Sequence, residues 1–343
     1  IALTHFSKKI LKKIEIWDRF TTNKISPIKE AKVLDGNSSY ALHFDRRKVN
    51  KDALGYLVSN HHIRKALYDE VITKPNIKIV SNASILKINT NNDYASVTLA
   101  NKKKIQASLI VAADSRFSQT RRNMGISAKI QDFGRVAIVC RMKHTKHHNN
   151  IAYECFHYGE TLAVLPLSQK TSSIIMTIPS EKSIKMMNVD NDEFNKYVSN
   201  KFKKKLGVMK LVDKRYMYSL VGVFADRFIS CRFALIGDAA VGMHPVTAHG
   251  FNLGLRGQNT LALQIKSALM MGLDVGSPII LEKYQVKHRR STRPLYWGTN
   301  AIVKLYTNDS LFSKIIRKTM LRIGNNFTPA KQQIINQLTE VLE

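Results

Sequence analysis

A chain of 343 residues with 44% hydrophobic content is long enough for two domains and too apolar for a disordered linker. It holds no run of about eighteen apolar residues, which excludes a simple membrane-spanning helix. The formal net charge of +29 admits nucleic acid, an anionic membrane surface or acidic small molecules as partners, but no zinc-finger, RNP-like or helix-turn-helix pattern accompanies it, so no nucleic acid is expected.

The chain opens on Ile1 rather than Met and nothing signal-like follows, so the sequence reads as truncated at its start. Residues 5–20 predict an amphipathic helix, with Phe6, Ile10, Leu11, Ile14 and Trp17 on one side. A second helix is expected over about 60–73, and strands over 77–88 and 94–99, joined by the turn Asn91-Asn92-Asp93. The apolar run from Ser108 to Ala113 ends on Asp114, as a buried strand does when it emerges at a ligand site. Short β-rich segments at 134–142, 151–158, 161–167 and 171–178 predict an inserted antiparallel sheet. A helix near 190–206 and a strand near 214–221 complete it.

The chain then returns to α/β character. The run from Arg232 to Asp238 is a second buried strand ending on an acid, and a helix starts near Gly250. The tail from about 278 reads as helical and basic. Between Lys283 and Lys331 eleven Lys/Arg stand against one acid, Asp309, with Leu295, Trp297, Ile302, Leu305, Phe312 and Ile316 among them. A solvated face explains this pattern, and so does peripheral contact with a membrane.

Three cysteines, Cys140, Cys155 and Cys231, lack CxxC spacing and read as free thiols of a reducing, cytoplasmic compartment. The stretch Lys143-His144-Thr145-Lys146-His147-His148 has lysines that repel cations and no neighbouring carboxylate. It reads as a solvated loop, and no metal is expected.

The strongest chemical signal is the string from Leu235 to Gly254. A strand delivers Asp238 to a sheet edge, where its carboxylate can accept from ligand hydroxyls. Gly237, Ala239 and Ala240 let the backbone approach that ligand, and Pro245 stiffens the loop. Gly250 and Asn252 then open a helix whose free amides suit an electron-rich or anionic group. His249, just before it, reads either as a catalytic neighbour of the ligand or as a packing residue.

At these residues the chain resembles the FAD-dependent aromatic-ring hydroxylases of the para-hydroxybenzoate hydroxylase fold. Their second FAD motif has the form Gly-Asp-Ala-Ala-His-x-x-x-Pro-x-x-Gly-x-Gly-x-Asn, matched by Gly237, Asp238, Ala239, Ala240, Pro245, Gly250 and Asn252. The string His244-Pro245 with Gly250 to Arg256 is similar to the ubiquinone-biosynthesis branch. So are Ala2-Leu3-Thr4-His5, the segment from Ala53 to Val58, and Phe327-Thr328-Pro329-Ala330. The resemblance implies an α/β fold, with a Rossmann-like FAD-binding domain, an inserted antiparallel-sheet substrate domain and a helical C-terminal tail. Its parts would be residues 1–125 (FAD-binding, first part), 126–225 (substrate sheet), 226–277 (FAD-binding, second part) and 278–343 (helical tail).

It also implies roles. Asp238 would bond the ribityl chain of FAD, the backbone at Gly237, Gly250, Phe251 and Asn252 would meet the cofactor, and Pro245 and His249 would lie beside the reacting ring. Asn60 and Arg64 would reach the ribityl-phosphate, and Asp114 with Arg116 the pyrophosphate side, although Ser115 replaces the family's glycine there. NAD(P)H or a separate reductase would supply electrons and O2 the oxygen, passed through a flavin hydroperoxide to a prenylated phenol or quinol of ubiquinone biosynthesis. Val139, Phe156 and Leu165 would wall the substrate pocket. The greasy substrate implies peripheral contact with the inner membrane and a place in a quinone-biosynthesis complex. A same-fold flavoprotein acting on a soluble aromatic or reducing a lipid stays open, as does an inactive remnant or scaffold. The family's first strand and Gly-x-Gly-x-x-Gly loop would precede Ile1, so the chain is expected to be the larger part of such an enzyme.

Overall fold

The computed structural model describes residues 1–36, 41–157, 159–245 and 249–307. The chain divides into two compact units. The first holds residues 1–68, 133–220 and, among the described residues, 301–307; the second holds 69–132 and 221–300. Two strands, Ala128–His144 and Tyr216–Ala225, carry the chain from one unit to the other.

The first unit is built on a sheet with the strand order Ala128–His144, Thr171–Pro179, Glu160–Ser168, Ile151–His157, Glu30–Asp35, Ala41–Asp45. Its pairings are antiparallel except where Ile151–His157 runs parallel to Glu30–Asp35. Alternation decides its buried face: Val136, Ile138, Cys140 and Met142 turn to one side and pack with Leu162, Val164, Ile174 and Met176. The helix Asn191–Lys201 closes that core with Phe194 and Val198. Asp190 starts the helix, its carboxylate accepting from the amides of Asp192 and Glu193 at 2.8 and 2.9 Å. A smaller sheet orders Ala2–Leu3, Gly55–Val58 and Ile25–Ile28. Glycine is required at Gly55, where a Cβ would lie 2.9 Å from the Leu3 carbonyl oxygen.

The second unit has a parallel pair, Ile110–Ala112 with Phe233–Leu235, and a separate meander of Ile85–Thr90, Ala95–Leu99 and Lys104–Ala107. Phe233, Ala234 and Leu235 are fully buried among Leu253 and Leu261 of the helix Gly250–Met270 and Leu281, Tyr284 and Tyr296 of the helix Pro278–Thr307. The Tyr284 hydroxyl donates to the Leu235 carbonyl at 2.6 Å and pins the second helix to the strand.

Several expected elements are shorter than their apolar patterns. The first helix stops at Lys13, because Glu15 turns left-handed (φ 61°) and a 3-10 turn, Trp17–Arg19, follows. The strand expected at 77–88 forms only from Ile85; Asn82 is left-handed at φ 53° and interrupts extended backbone. The helix expected to reach 206 ends at Lys201, and the strand expected at 214–221 extends to Ala225. The basic tail is helical from Pro278 to Thr307, and 308–343 lie outside the described residues.

The histidine run is a correction to the sequence reading. His144 and His148 are buried, each 3% exposed, rather than solvated. The His144 ring meets the Lys146 carbonyl and the Ser172 hydroxyl, and the His148 ring meets the Ser168 carbonyl at 2.6 Å. These rings satisfy a buried corner of backbone, and burial lowers both below the ordinary imidazole range. The cysteines are free: burial pushes the Cys140 and Cys155 thiols up to about 12, and Cys231 is exposed.

The packing sets an order of stabilities. Phe194→Ala should cost about 3–5 kcal/mol, because it empties a site with no solvent exposure. Asp190→Ala should cost about 1 kcal/mol, the loss of one helix cap. Denaturant unfolding of the two variants checks the ranking, and equal losses would contradict it.

Candidate functional site

The site begins with strand register. Ile110, Val111 and Ala112 pair in parallel with Phe233, Ala234 and Leu235, and the Ile236 amide continues the ladder to the Ala112 carbonyl at 3.0 Å. Both strands therefore end at the same edge of the sheet, and each chain continues into an acid, Asp114 or Asp238. An open edge at the carboxyl ends of parallel strands is where α/β sheets hold ligands.

Asp238 sits in a single 3-10 turn, Gly237–Ala239. Gly237 has φ 57°, which favours glycine, and an added Cβ there would meet nothing within 4 Å, so the space above the turn is open. Two more glycines crowd in. A Cβ on Gly254 would lie 3.6 Å from the Gly237 Cα, and one on Gly242 would lie 3.1 Å from the Arg116 Cβ. The Asp238 Oδ2 accepts from the Arg116 guanidinium at 2.9 Å, while the side chain keeps 36% of its surface exposed. Arg116 is held in turn by the Val221 carbonyl at 3.1 Å.

Asp114 is used differently. Its carboxylate accepts from the Ser118 hydroxyl at 2.5 Å and the Thr120 amide at 3.1 Å, so it braces its own loop. Burial alone would raise this carboxyl, but those hydrogen bonds outweigh it and hold it below the usual carboxylate range. Ser118 then accepts from the Arg121 amide at 2.8 Å. Arg121, only 2% exposed, donates to the carbonyls of Arg116 and Ala239 at 3.2 and 3.0 Å and ties the two strand-end loops together. Ser115 is absent from the residues with positive φ, so it fills the family's glycine position without left-handed strain. Sequence reasoning passed over Ser118 and Arg121. The available signal was a hydroxyl and an arginine four and seven residues beyond the strand-end acid.

The third part is the start of the helix Gly250–Met270. It runs for 21 residues, and His249 gives it no side-chain cap. His249 and Asn252 are buried at 5% and 1% exposure, and the His249 carbonyl takes the Leu253 amide at 2.8 Å. The amides of the first turn carry the positive end of a long helix. Pro245 is exposed, and 246–248 lie outside the described residues.

Asn60 and Arg64 belong to the first unit, where they share an exposed side of the helix Asn60–Val71. That unit also gathers Val139, Phe156 and Leu165 on one face of its sheet, opposite the face packed on Phe194. A cluster of Glu30, His43 and Asp45 has ligand atoms within 4.8 Å of one another. Its acids are already engaged, Glu30 by Lys32 and His43 and Asp45 by Arg47.

The second unit's residues fit FAD. A half-exposed carboxylate, next in sequence to the open turn at Gly237, can take the hydroxyls of a polyol chain. The start of a long helix, with its first-turn amides, suits the edge of a flavin where negative charge develops on reduction.

Comparison with known proteins agrees. A family model described as FAD binding domain matches residues 9–293. The chain is 47% identical over 343 residues to Ubiquinone hydroxylase UbiM of Neisseria meningitidis, covering 99% of this chain and 74% of that protein. It is 32% identical to Ubiquinone hydroxylase UbiL of Rhodospirillum rubrum, covering 96% and 77%. The structure of Klebsiella pneumoniae HpxO, complexed with FAD and uric acid, superposes with a TM-score of 0.77 at 14% identity, covering 99% of this chain and 86% of that one. That likeness bears on the fold alone, which is the para-hydroxybenzoate hydroxylase fold.

The loop braced by Asp114 makes a prediction of its own. Ser118→Ala leaves a part-buried carboxylate and a buried amide each short of a partner, and should cost about 1–3 kcal/mol. Thermal unfolding checks it, and an unchanged midpoint would show that the brace carries no weight.

Proposed function

We propose that this chain, which belongs to the FAD-binding-domain family and within it to the FAD-dependent hydroxylases of ubiquinone biosynthesis, hydroxylates the ring of a polyprenylated phenol or quinol. The observation that carries the site is the turn at Asp238 set beside the start of the helix at Gly250, in one unit of the chain.

When bound, FAD supplies the redox chemistry, with O2 as the oxygen source and NAD(P)H or a separate reductase as the electron donor. The chain's own residues bind and orient. Asp238 accepts from ribityl hydroxyls, and Arg116 fixes its carboxylate while leaving part of it exposed. Gly237 gives the space for that approach. The amides of Gly250, Phe251 and Asn252 stabilise negative charge at the flavin's pyrimidine edge. Pro245 and His249 stand at the reacting ring. Arg121 keeps both loops in register beneath the cofactor, and Asp114 holds the loop that carries Arg116 on the pyrophosphate side. Asn60 and Arg64 supply polar contacts to the ribityl-phosphate. Val139, Phe156 and Leu165 take the apolar ring and exclude water from it.

We also propose a peripheral membrane contact on the helix Pro278–Thr307. Ile279 and Val286 are 67% and 58% exposed, and an open groove of about 970 Å3 is lined by them with Pro278, Ile229, the cations Lys283, Lys287 and Arg290, Gln264 and one acid, Glu282. Apolar residues flanked by cations suit an anionic lipid surface. Among the described residues no helix is long and apolar enough to cross a membrane.

Asp238→Ala should lower the flavin retained on purification by about tenfold or more while the apoprotein stays folded, the loss expected for a charged hydrogen-bond acceptor. Absorbance of bound flavin against protein checks it, and full retention would refute the placement. Substrate-dependent oxygen uptake, absent without the phenol, separates hydroxylation from lipid reduction. Lys283→Glu with Lys287→Glu should weaken co-sedimentation with phosphatidylglycerol vesicles, by roughly 1 kcal/mol for each lysine removed. Undiminished binding would place the contact elsewhere.

A further inference from the structure

The sheet of the first unit carries a carboxyl with no task in the reading above. Along Ile151–His157, Tyr153 and Cys155 turn into the helix-covered core, so Ala152, Glu154 and Phe156 turn the other way. Strand register sets Glu154 in one row with Ala163, Ile175 and Val139 on one side and Val33 on the other. The adjacent row holds Phe156, Thr161, Thr177 and Ala137. Glu154 therefore lies within a largely apolar surface that includes two of the residues expected at the substrate, Val139 and Phe156, with Asp35 next to Phe156 in the adjacent row. Val33, Val139, Thr161 and Ile175 keep intermediate exposure while Ala137, Phe156, Ala163 and Thr177 are buried, so the surface is partly open.

An acid in such a place needs a reason, because withdrawing a carboxylate from water without a cation is costly, and Glu154 keeps only intermediate exposure. Burial pushes Glu154 up to about 8, and the hydrogen bond with the Thr161 side chain pulls it only partly back. Two of the other charged groups toward this side, Arg135 and Arg141, are engaged elsewhere. Arg135 donates to the Gly159 carbonyl, Arg141 pairs with Asp213, and Asp35 lies beyond Phe156. His62 is lowered first by burial and then by the charges of Lys24 and Arg141. The chemistry left is that of a neutral carboxyl, which both donates and accepts a hydrogen bond. A ring hydroxyl has the complementary pair of a donor and an acceptor.

We propose that Glu154 holds the ring hydroxyl of the substrate, while Phe156 and Ile175 contact the ring itself and Val139 lies one strand farther along the same row. This rests on the hydroxylase reading, and it names the group by which a phenol or quinol is told from an ether of the same shape. A site built to hydrogen-bond a hydroxyl rejects the analogue lacking it, because its own polar group is then left buried and unpaired.

The test uses the holoenzyme with 2-prenylphenol and its methyl ether, and compares wild type with Glu154→Gln and Glu154→Leu. Wild type should bind the phenol about tenfold or more tightly than the ether. Glu154→Leu should abolish that preference, and Glu154→Gln, which still donates and accepts, should keep part of it. Equal binding of the two ligands by wild type, or an unchanged preference in Glu154→Leu, would overturn the proposal. Oxygen uptake is followed in parallel: a preference that depends on Glu154 without phenol-driven uptake leaves the binding site standing and removes the hydroxylase reading, whereas uptake with an unmoved preference does the reverse. Thermal stability gives a second check. The folded state holds this proton until about pH 8 while the unfolded chain releases it near 4.5, so wild type loses stability as pH rises between those values. Glu154→Gln removes that loss, and its midpoint relative to wild type should climb over that range. A flat difference would show that the carboxyl is not held neutral, and would overturn the proposal.

Discussion

The parallel pairing of Ile110–Ala112 with Phe233–Leu235 is the contact on which the site depends. Three residue pairs fix where two distant stretches of chain end, and so bring Asp114 and Asp238 to one edge though they lie 124 positions apart in sequence. The register is secured from beneath by the Tyr284 hydroxyl on the Leu235 carbonyl and from above by Arg121, which bonds carbonyls of both loops. A slip of one residue would turn Phe233 and Leu235 out of a core in which they are fully buried, so hydrophobic burial and the geometry of the site enforce each other.

The two strand-end acids do unlike work because of what surrounds them. Asp114 is surrounded by donors of its own loop and becomes a structural brace. Asp238 is flanked by glycines and paired with a single guanidinium, so part of its carboxylate stays available. The sequence shows the same pattern twice, an apolar run ending on an acid, and does not distinguish the two outcomes. The distinction comes from neighbours four and six residues downstream in one case and from close-packed backbone in the other.

What was legible in the chain was local. The apolar run before Asp238, the glycines after it and the helix opening at Gly250 are all short-range patterns, and each is in the structure. The four β-rich segments of the sheet were legible through their alternation, apart from ends that moved by a few residues. What stayed hidden was non-local. Glu30–Asp35 joins that sheet by parallel pairing with a strand more than a hundred residues later, which no local period reveals. Glu154 reads in sequence as one acid among Tyr153 and Cys155; only the register across the neighbouring strands shows the apolar surface it occupies. The histidine run misled because its composition is that of a surface loop, while its rings are taken up by buried backbone carbonyls.

The central claim is that the turn at Asp238 and the start of the helix at Gly250 together hold the flavin. Hydrogen–deuterium exchange of the purified enzyme, with and without saturating FAD, tests it directly. Peptides covering 236–242 and 249–254 should gain protection on binding, with little change across the helix-packed strands of the first unit. Tight flavin binding that leaves exchange in those two segments unaltered would contradict the account.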